Sequence, residues 1–395
     1  MSKYKMGFWN YVRTGDLNEK TAVADWKKLG MNLPISFHYD YEKHDKNALI
    51  RLLDECHANG MQVIIDDKRT NFRRYIQIGK ARFIEEVKQA VADFGTHPAA
   101  YGFYVGDEPT AKQWESAIDA FIVVRDAAPK LTPFINFFPL FEDENFEKLL
   151  EVKLSDQDGY ADKLADFITR TGAKLLCYDF YGQCAYFDRE KGINLFFRNL
   201  NMYYSVAKRT GVTPFTCPLS VGHWGYRTPT DDDFRWQMAA ATAHGMTGFM
   251  WFFVYERLLH ENYRNAPIDE FGEHTETFAR MSHEVRSFMK NIAPKLEDYE
   301  LKSVQHFHKS YGNTPIFDGS GKLKSIQAYE EFNVAPMAVS HFENKDGKQI
   351  VAVVNLCVDA PTFVTLTFAE DFNQNDKSLW IAPGQMLLYY PNAEK

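Results

Sequence analysis

The stretch Ala100-Tyr101-Gly102-Phe103-Tyr104-Val105-Gly106-Asp107-Glu108-Pro109-Thr110 reads as an apolar strand that runs into two adjacent acids and stops at a proline. Burying carboxylates beside an apolar strand costs free energy unless they are paired or used. Two neighbouring acids also push one pKa upward, which suits a general acid at neutral pH. The plainer reading makes Asp107 a helix cap and leaves Glu108 in solvent.

This strand is one of a series. Apolar runs begin near Met6, Met31, Met61, Ala100, Pro133, Leu175, Thr213 and Gly248, and helix-like stretches lie between them. In one of these, Ala48, Leu49, Leu52, Leu53 and Cys56 recur at helical spacing. Glycines such as Gly30, Gly60, Gly211 and Gly245 sit just before the next strand, where a helix ends on a positive φ. Eight strands alternating with helices predict parallel strands joined by right-handed crossovers, a (β/α)₈ barrel over residues 1–296. After Pro294 the helical period gives way to short alternating strands, with Asp346-Gly347 as a hairpin signal. Residues 297–395 are therefore expected to form a small antiparallel β-sandwich with a structural role. His306 and His308 share a strand face there, but two histidines without further ligands do not make a metal site.

Composition narrows the function. The chain has 395 residues, 45 basic against 53 acidic, and a net charge of −8, without a long basic cluster. That balance argues against nucleic acid as a partner. No run of about 18 apolar residues is present, so no membrane span is expected. Five scattered cysteines without a CxxC pair read as reduced structural thiols. No secretory signal follows Met1, which reads as cytoplasmic as the sequence stands; removal of a signal peptide would read as secreted or periplasmic. Aromatic residues make up 15% of the chain, and tyrosine and tryptophan offer flat platforms for ligands.

Barrel enzymes place their chemistry at the C-terminal ends of the strands. The successive ends carry Trp9-Asn10-Tyr11, His38-Tyr39-Asp40-Tyr41, Asp66-Asp67-Lys68, Asp107-Glu108, Asn136, Tyr178-Asp179-Phe180-Tyr181, His223-Trp224-Gly225-Tyr226-Arg227, and Trp251, Tyr255 and Glu256. Together they describe a pocket with acids and aromatic walls. The expected substrate-binding set is Trp9, Asn10, His38, Tyr39, Asp67, Tyr181, His223, Trp224, Trp251 and Tyr255.

Asp107-Glu108-Pro109, set in Tyr-Gly-Phe-Tyr-Val-Gly, resembles the acid/base strand of the large (β/α)₈ clan of glycoside hydrolases. The eighth run, Gly248 to Tyr255, and the closing stretch Ala382 to Tyr390 are similar to that clan's sugar-subsite strand and appended sandwich. The resemblance implies hydrolysis of an O-glycosidic bond in a carbohydrate substrate, with Glu108 as general acid/base and no cofactor. The clan also places a nucleophilic glutamate on the seventh strand. Here that run, Thr213 to Trp224, contains no acid. The second carboxylate is then Asp179, or Glu256, or none: Asp107 would orient a substrate acetamido group that itself attacks. Two other readings stay open. One is a metal-dependent barrel using His38, Asp66, Glu108, Asp179 and His223. The other is a barrel that binds glycan without cutting it.

Overall fold

The computed structural model describes residues 2–153, 157–257, 262–372 and 374–391. Seven parallel strands form one curled sheet: β1 (Lys5–Phe8), β2 (Val63–Ile65), β3 (Ala100–Asp107), β4 (Phe134–Phe137), β5 (Leu175–Asp179), β6 (Thr213–Cys217) and β7 (Gly248–Trp251). Their order is β1-β7-β6-β5-β4-β3-β2, so β1 and β2 are the two edges. The run from Met31 to Tyr39, expected to be the second strand, fills the gap between them. Leu33 N donates to Met6 O at 2.9 Å, Ser36 N to Ile64 O at 2.9 Å, and Ile64 N to Pro34 O at 3.0 Å. It pairs through isolated bridges rather than a regular ladder, because Pro34 has no N–H to donate. Its approach to β1 is close: a Cβ on Gly7 would lie 2.0 Å from Leu33 O, so only glycine fits there. The barrel is thus closed, with β3 to β7 corresponding to the fourth to eighth expected strands.

Alternation along the strands separates two cores. Tyr104, Phe134, Cys177, Phe215, Cys217 and Met250 point into the barrel. Their neighbours Phe103, Val105, Ile135, Tyr178, Phe249 and Trp251 point outward to the helices. Both layers are almost fully buried.

Seven antiparallel strands follow: β8 (Tyr299–Phe307), β9 (Leu323–Ala328), β10 (Met337–Asn344), β11 (Gln349–Asn355), β12 (Thr362–Phe368), β13 (Lys377–Ile381) and β14 (Met386–Tyr389). They form a four-stranded sheet, β14-β11-β10-β8, and a three-stranded sheet, β13-β12-β9. Met337, Val339, Val351 and Val353 on the first meet Val364, Leu366 and Ile381 on the second. The other face of the four-stranded sheet, with Ala338, Phe342, Ile350 and Ala352, joins the barrel's outer core. Ser340 Oγ donates to Ala243 O at 2.7 Å and Trp236 Nε1 to Leu356 O at 2.9 Å across this seam. His244 and His306, both buried, meet there through their Nε2 atoms at 3.1 Å. His306 therefore serves the seam.

Candidate active site

Two adjacent residues of an extended strand point to opposite faces. Asp107 and Glu108 escape that rule because Glu108 takes a left-handed φ of 49° immediately after the last strand residue. A non-glycine residue in that region carries a backbone cost, and such positions cluster at functional sites. Glu108 N donates to Asn136 O at 3.0 Å, which anchors the turn to β4. Both carboxylates consequently line a cavity of about 400 Å³ at the C-terminal end of the barrel.

Asn136 and Asp179 line the same cavity. Asn136 Nδ2 donates to Asp179 Oδ1 at 2.8 Å and to Asp107 Oδ1 at 3.1 Å. Tyr181 lines the same cavity, and Asp179 and Glu108 lie close enough to shift each other's ionisation. Burial, followed by the charges of Asp179 and Asp107, pushes Glu108 up to about 10. Burial and then Asp179 push Asp107 up to about 7. Asp179 is raised too, chiefly by burial, but the donors from Asn136, Tyr181 and Glu108 oppose the shift. Burial and the charges of Asp179 and Asp107 thus favour the protonated form of Glu108. Arg73 lies behind the cluster, its Nη2 donating to the Asp107 carbonyl at 2.8 Å.

Aromatic rings complete the walls. Trp9 forms part of the floor and donates from Nε1 to Cys217 Sγ at 3.1 Å. Tyr181 stacks on Phe252 at 5.4 Å, and His223 on Tyr263 at 5.4 Å. Burial holds His223 down to about 4, so it is neutral at pH 7. Trp224 stands at the rim, 60% exposed. Tyr11, beneath the guanidinium of Arg257 at 3.7 Å, with Phe138, Phe141, Phe180 and Tyr226, fills the remaining wall.

Of the expected residues, Asp107, Glu108, Asp179, Trp9, Tyr181, His223 and Trp224 converge on this cavity. The others do not line it. Asn10 is a turn residue, bonding Ile35 O and Val12 N. His38 pairs with Asp66 at 3.0 Å. Tyr39 packs on Phe94 at 5.2 Å, and Asp67 is fully buried in an ion pair with Arg69 at 2.7 Å. Trp251 has the outward parity of its strand and packs on Phe234 at 5.3 Å; Phe252, one residue later, is the ring that reaches the cavity. Tyr255 accepts from Trp26 Nε1 at 2.7 Å on the outer side. Glu256 accepts from Ala266 N at 2.9 Å and lines a separate cavity of about 340 Å³ with Asp16, Asp25 and Asp269. It does not join Glu108. The mixed metal set is likewise split, since His38 and Asp66 pair with each other while Glu108, Asp179 and His223 line the cavity. Among the described residues no three His, Cys, Asp or Glu side chains are disposed to hold a metal ion.

The sequence reading missed Phe138, Phe141, Phe252 and Tyr263 as wall residues. Strand parity distinguishes Phe252 from Trp251. Tyr263 comes from a loop distant in sequence, and no local pattern marks it.

No protein-family model and no curated protein matches the sequence. Solved structures do match the fold. A beta-galactosidase from the psychrophilic Marinomonas ef1 aligns with a TM-score of 0.51 and 11% identity, over 74% of this chain and 60% of that one. A candidate alpha-L-fucosidase from Bacteroides thetaiotaomicron VPI-5482 aligns at 0.50 and 13% identity, over 72% of this chain and 97% of that one. A beta-galactosidase from the Antarctic haloarchaeon Halorubrum lacusprofundi aligns at 0.52 and 11% identity, over 72% and 58%. The chain thus spans about 60% of the length of the two beta-galactosidases. Across that length it has the barrel fold on which these glycoside hydrolases are built.

Proposed function

We propose that the chain is a retaining glycoside hydrolase in which Glu108 is the general acid/base and Asp179 the nucleophile. The observation that supports this reading is that Glu108 and Asp179 line one cavity, where Asn136 donates to Asp179 Oδ1 at 2.8 Å and the Asp179 charge adds to burial in raising the Glu108 carboxyl. Attack by a carboxylate on the anomeric carbon, followed by hydrolysis of the ester, implies net retention of configuration.

Asp179, charged, attacks the anomeric carbon as the glycosidic C–O bond breaks, and Glu108 transfers its proton to the departing oxygen. The resulting ester carries no charge at Asp179. Glu108 then loses one of the charges that raised its pKa, and as a carboxylate it takes a proton from the water that cleaves the ester. Trp9 and Phe252 provide apolar surface for the C–H faces of a sugar. The position of Asp107, held in the same cavity by Asn136, favours a second reading in which it orients a substrate acetamido group.

The neighbours' names suggest dinitrophenyl β-galactosides and α-L-fucosides as first substrates. Proton NMR of the first-formed sugar tests the proposal: the retained anomer is expected. The inverted anomer would contradict it, as would the absence of turnover on a wider panel of aryl glycosides.

A further inference from the structure

The three-stranded sheet is the outermost layer of the C-terminal unit. One face closes the sandwich core through Ile326, Val364, Leu366 and Ile381. The four-stranded sheet separates it from the barrel, so its other face is turned away from the active-site cavity.

That outer face has an unusual make-up. Phe363 on β12 lies directly opposite Trp380 on β13. Their ring centroids are 5.4 Å apart, and Phe332 closes the group at 5.3 Å from Trp380 and 5.6 Å from Phe363. Tyr329 braces Phe363 at 5.6 Å and bonds Thr365 Oγ1 through its hydroxyl at 3.0 Å. The rings are held in place, yet Trp380 is 53% exposed and Phe332 39% exposed. Beyond them the cross-strand partners of the same face are Thr365 with Ser378 and Gln327, and Thr367 with Ser325. None of these strand partners carries a charge, although solvated strand faces ordinarily carry lysine and glutamate that keep them soluble; the exposed acids Glu330 and Glu331, on the turn that carries Phe332, would repel an anionic ligand.

The open part of the two rings amounts to roughly 200 Å², judged from the ~150–250 Å² of an aromatic side chain. A stable protein interface needs about 800 Å² per partner. The patch is therefore too small for a second copy of the chain and matches a small, uncharged ligand. Flat rings followed by hydroxyl and amide groups complement a neutral sugar, whose C–H faces stack and whose hydroxyls both donate and accept.

We propose that this face is a second carbohydrate-binding site, specific for neutral polysaccharide chains and independent of the barrel cavity. It goes beyond the hydrolase reading, and binding can be measured without turnover. Native electrophoresis of Glu108→Gln protein in gels containing galactomannan, xyloglucan or mixed-linkage β-glucan should show retardation by at least one of them, and polygalacturonate should give none. Adding Trp380→Ala should weaken that binding roughly tenfold, Phe332→Ala should weaken it less, and Trp380→Phe should keep most of it. Because Trp380 is half exposed, all three variants should melt with the parent. In an otherwise wild-type chain, Trp380→Ala should leave hydrolysis of dinitrophenyl glycosides unchanged. Absence of such hydrolysis alongside Trp380-dependent retardation would sink the hydrolase reading alone. The second site is overturned if no neutral polymer retards the protein, or if polygalacturonate does so equally. Retardation that survives both alanine substitutions belongs to the barrel and overturns it too, as does a dimer in light scattering that Trp380→Ala dissociates.

Discussion

Glu108 and Asp179 line the same cavity although Glu108 follows β3 and Asp179 ends β5, strands that are not neighbours. Asn136 of the intervening β4 donates to Asp179 at 2.8 Å and to Asp107 at 3.1 Å, so a single amide spans two of three half-buried acids. Three carboxylates this close cannot all ionise. The arrangement assigns the proton to Glu108, which receives the charges of both neighbours, and leaves Asp179 with the donors.

Asp179→Gly should fold and lose roughly 10³-fold or more in kcat, because no group then forms the glycosyl ester. Azide should restore turnover of a dinitrophenyl glycoside by occupying the vacated space, giving a glycosyl azide of inverted configuration detectable by NMR. A variant that keeps near-normal activity without azide would remove Asp179 from the nucleophilic role.

Removing the Asn136 amide takes a donor from two carboxylates at once. Asp179 must be ionised to attack, so its pKa governs the acidic limb of kcat/KM. Asn136→Ala should raise that pKa and move the limb to higher pH, while leaving buried groups unsatisfied at a cost of about 1–3 kcal/mol in stability. A pH profile that falls in height without moving would mean that Asn136 does not tune Asp179.

Trp224 and Trp251 should respond oppositely to substitution. Trp224 is exposed at the rim, and Trp224→Ala should raise KM several-fold with an unchanged Tm. Trp251 is fully buried, and Trp251→Ala should cost about 3–5 kcal/mol, readable by denaturant unfolding. Equal stability losses in the two would show that the rim tryptophan is part of the core.

How far the sequence carried these assignments depended on parity. Asp107, Glu108 and Asp179 stood out because each ends an apolar run, and a carboxylate there needs a reason. Their convergence was less visible, because it rests on the left-handed turn at Glu108 that brings two adjacent side chains to one side. Trp251 was read as a platform from nearness to a strand end, but alternation sends it outward and Phe252 inward. Glu256 failed for the same kind of reason, since a loop turn takes it to the neighbouring cavity. The barrel itself was legible through its repeating strands and glycine caps. Pro34 concealed that its second strand would pair through bridges alone.

The seam between barrel and sandwich contains a titratable pair. His244 Nδ1 donates to Ala240 O at 2.8 Å and His306 Nδ1 accepts from Tyr311 N at 3.1 Å. The proton between their Nε2 atoms therefore comes from His306, and both rings are neutral. Burial holds His244 at about 4 and His306, also facing His244, at about 2, against an ordinary value of 6.5. The unfolded chain binds more protons below about pH 6.5, so the stabilisation is complete above that pH. It is lost as the pH falls toward the folded values, by up to about 1.4 kcal/mol per unit for each ring. His306→Gln should be less stable at pH 7 but lose less Tm between pH 6.5 and 5 than the wild type. An identical slope would exclude the pair as a source of acid sensitivity.

The most direct test of the proton assignment is the leaving-group dependence of Glu108→Gln. Glutamine keeps the shape and a hydrogen bond but has no proton to give, and general acid help is worth about 10²–10⁴-fold. Measured as kcat/KM, the variant should lose that factor on a glycoside with an alkyl leaving group. It should lose much less on the dinitrophenyl glycoside of the same sugar, whose leaving group departs without protonation. An equal loss on both substrates would contradict the assignment of Glu108 as the proton donor.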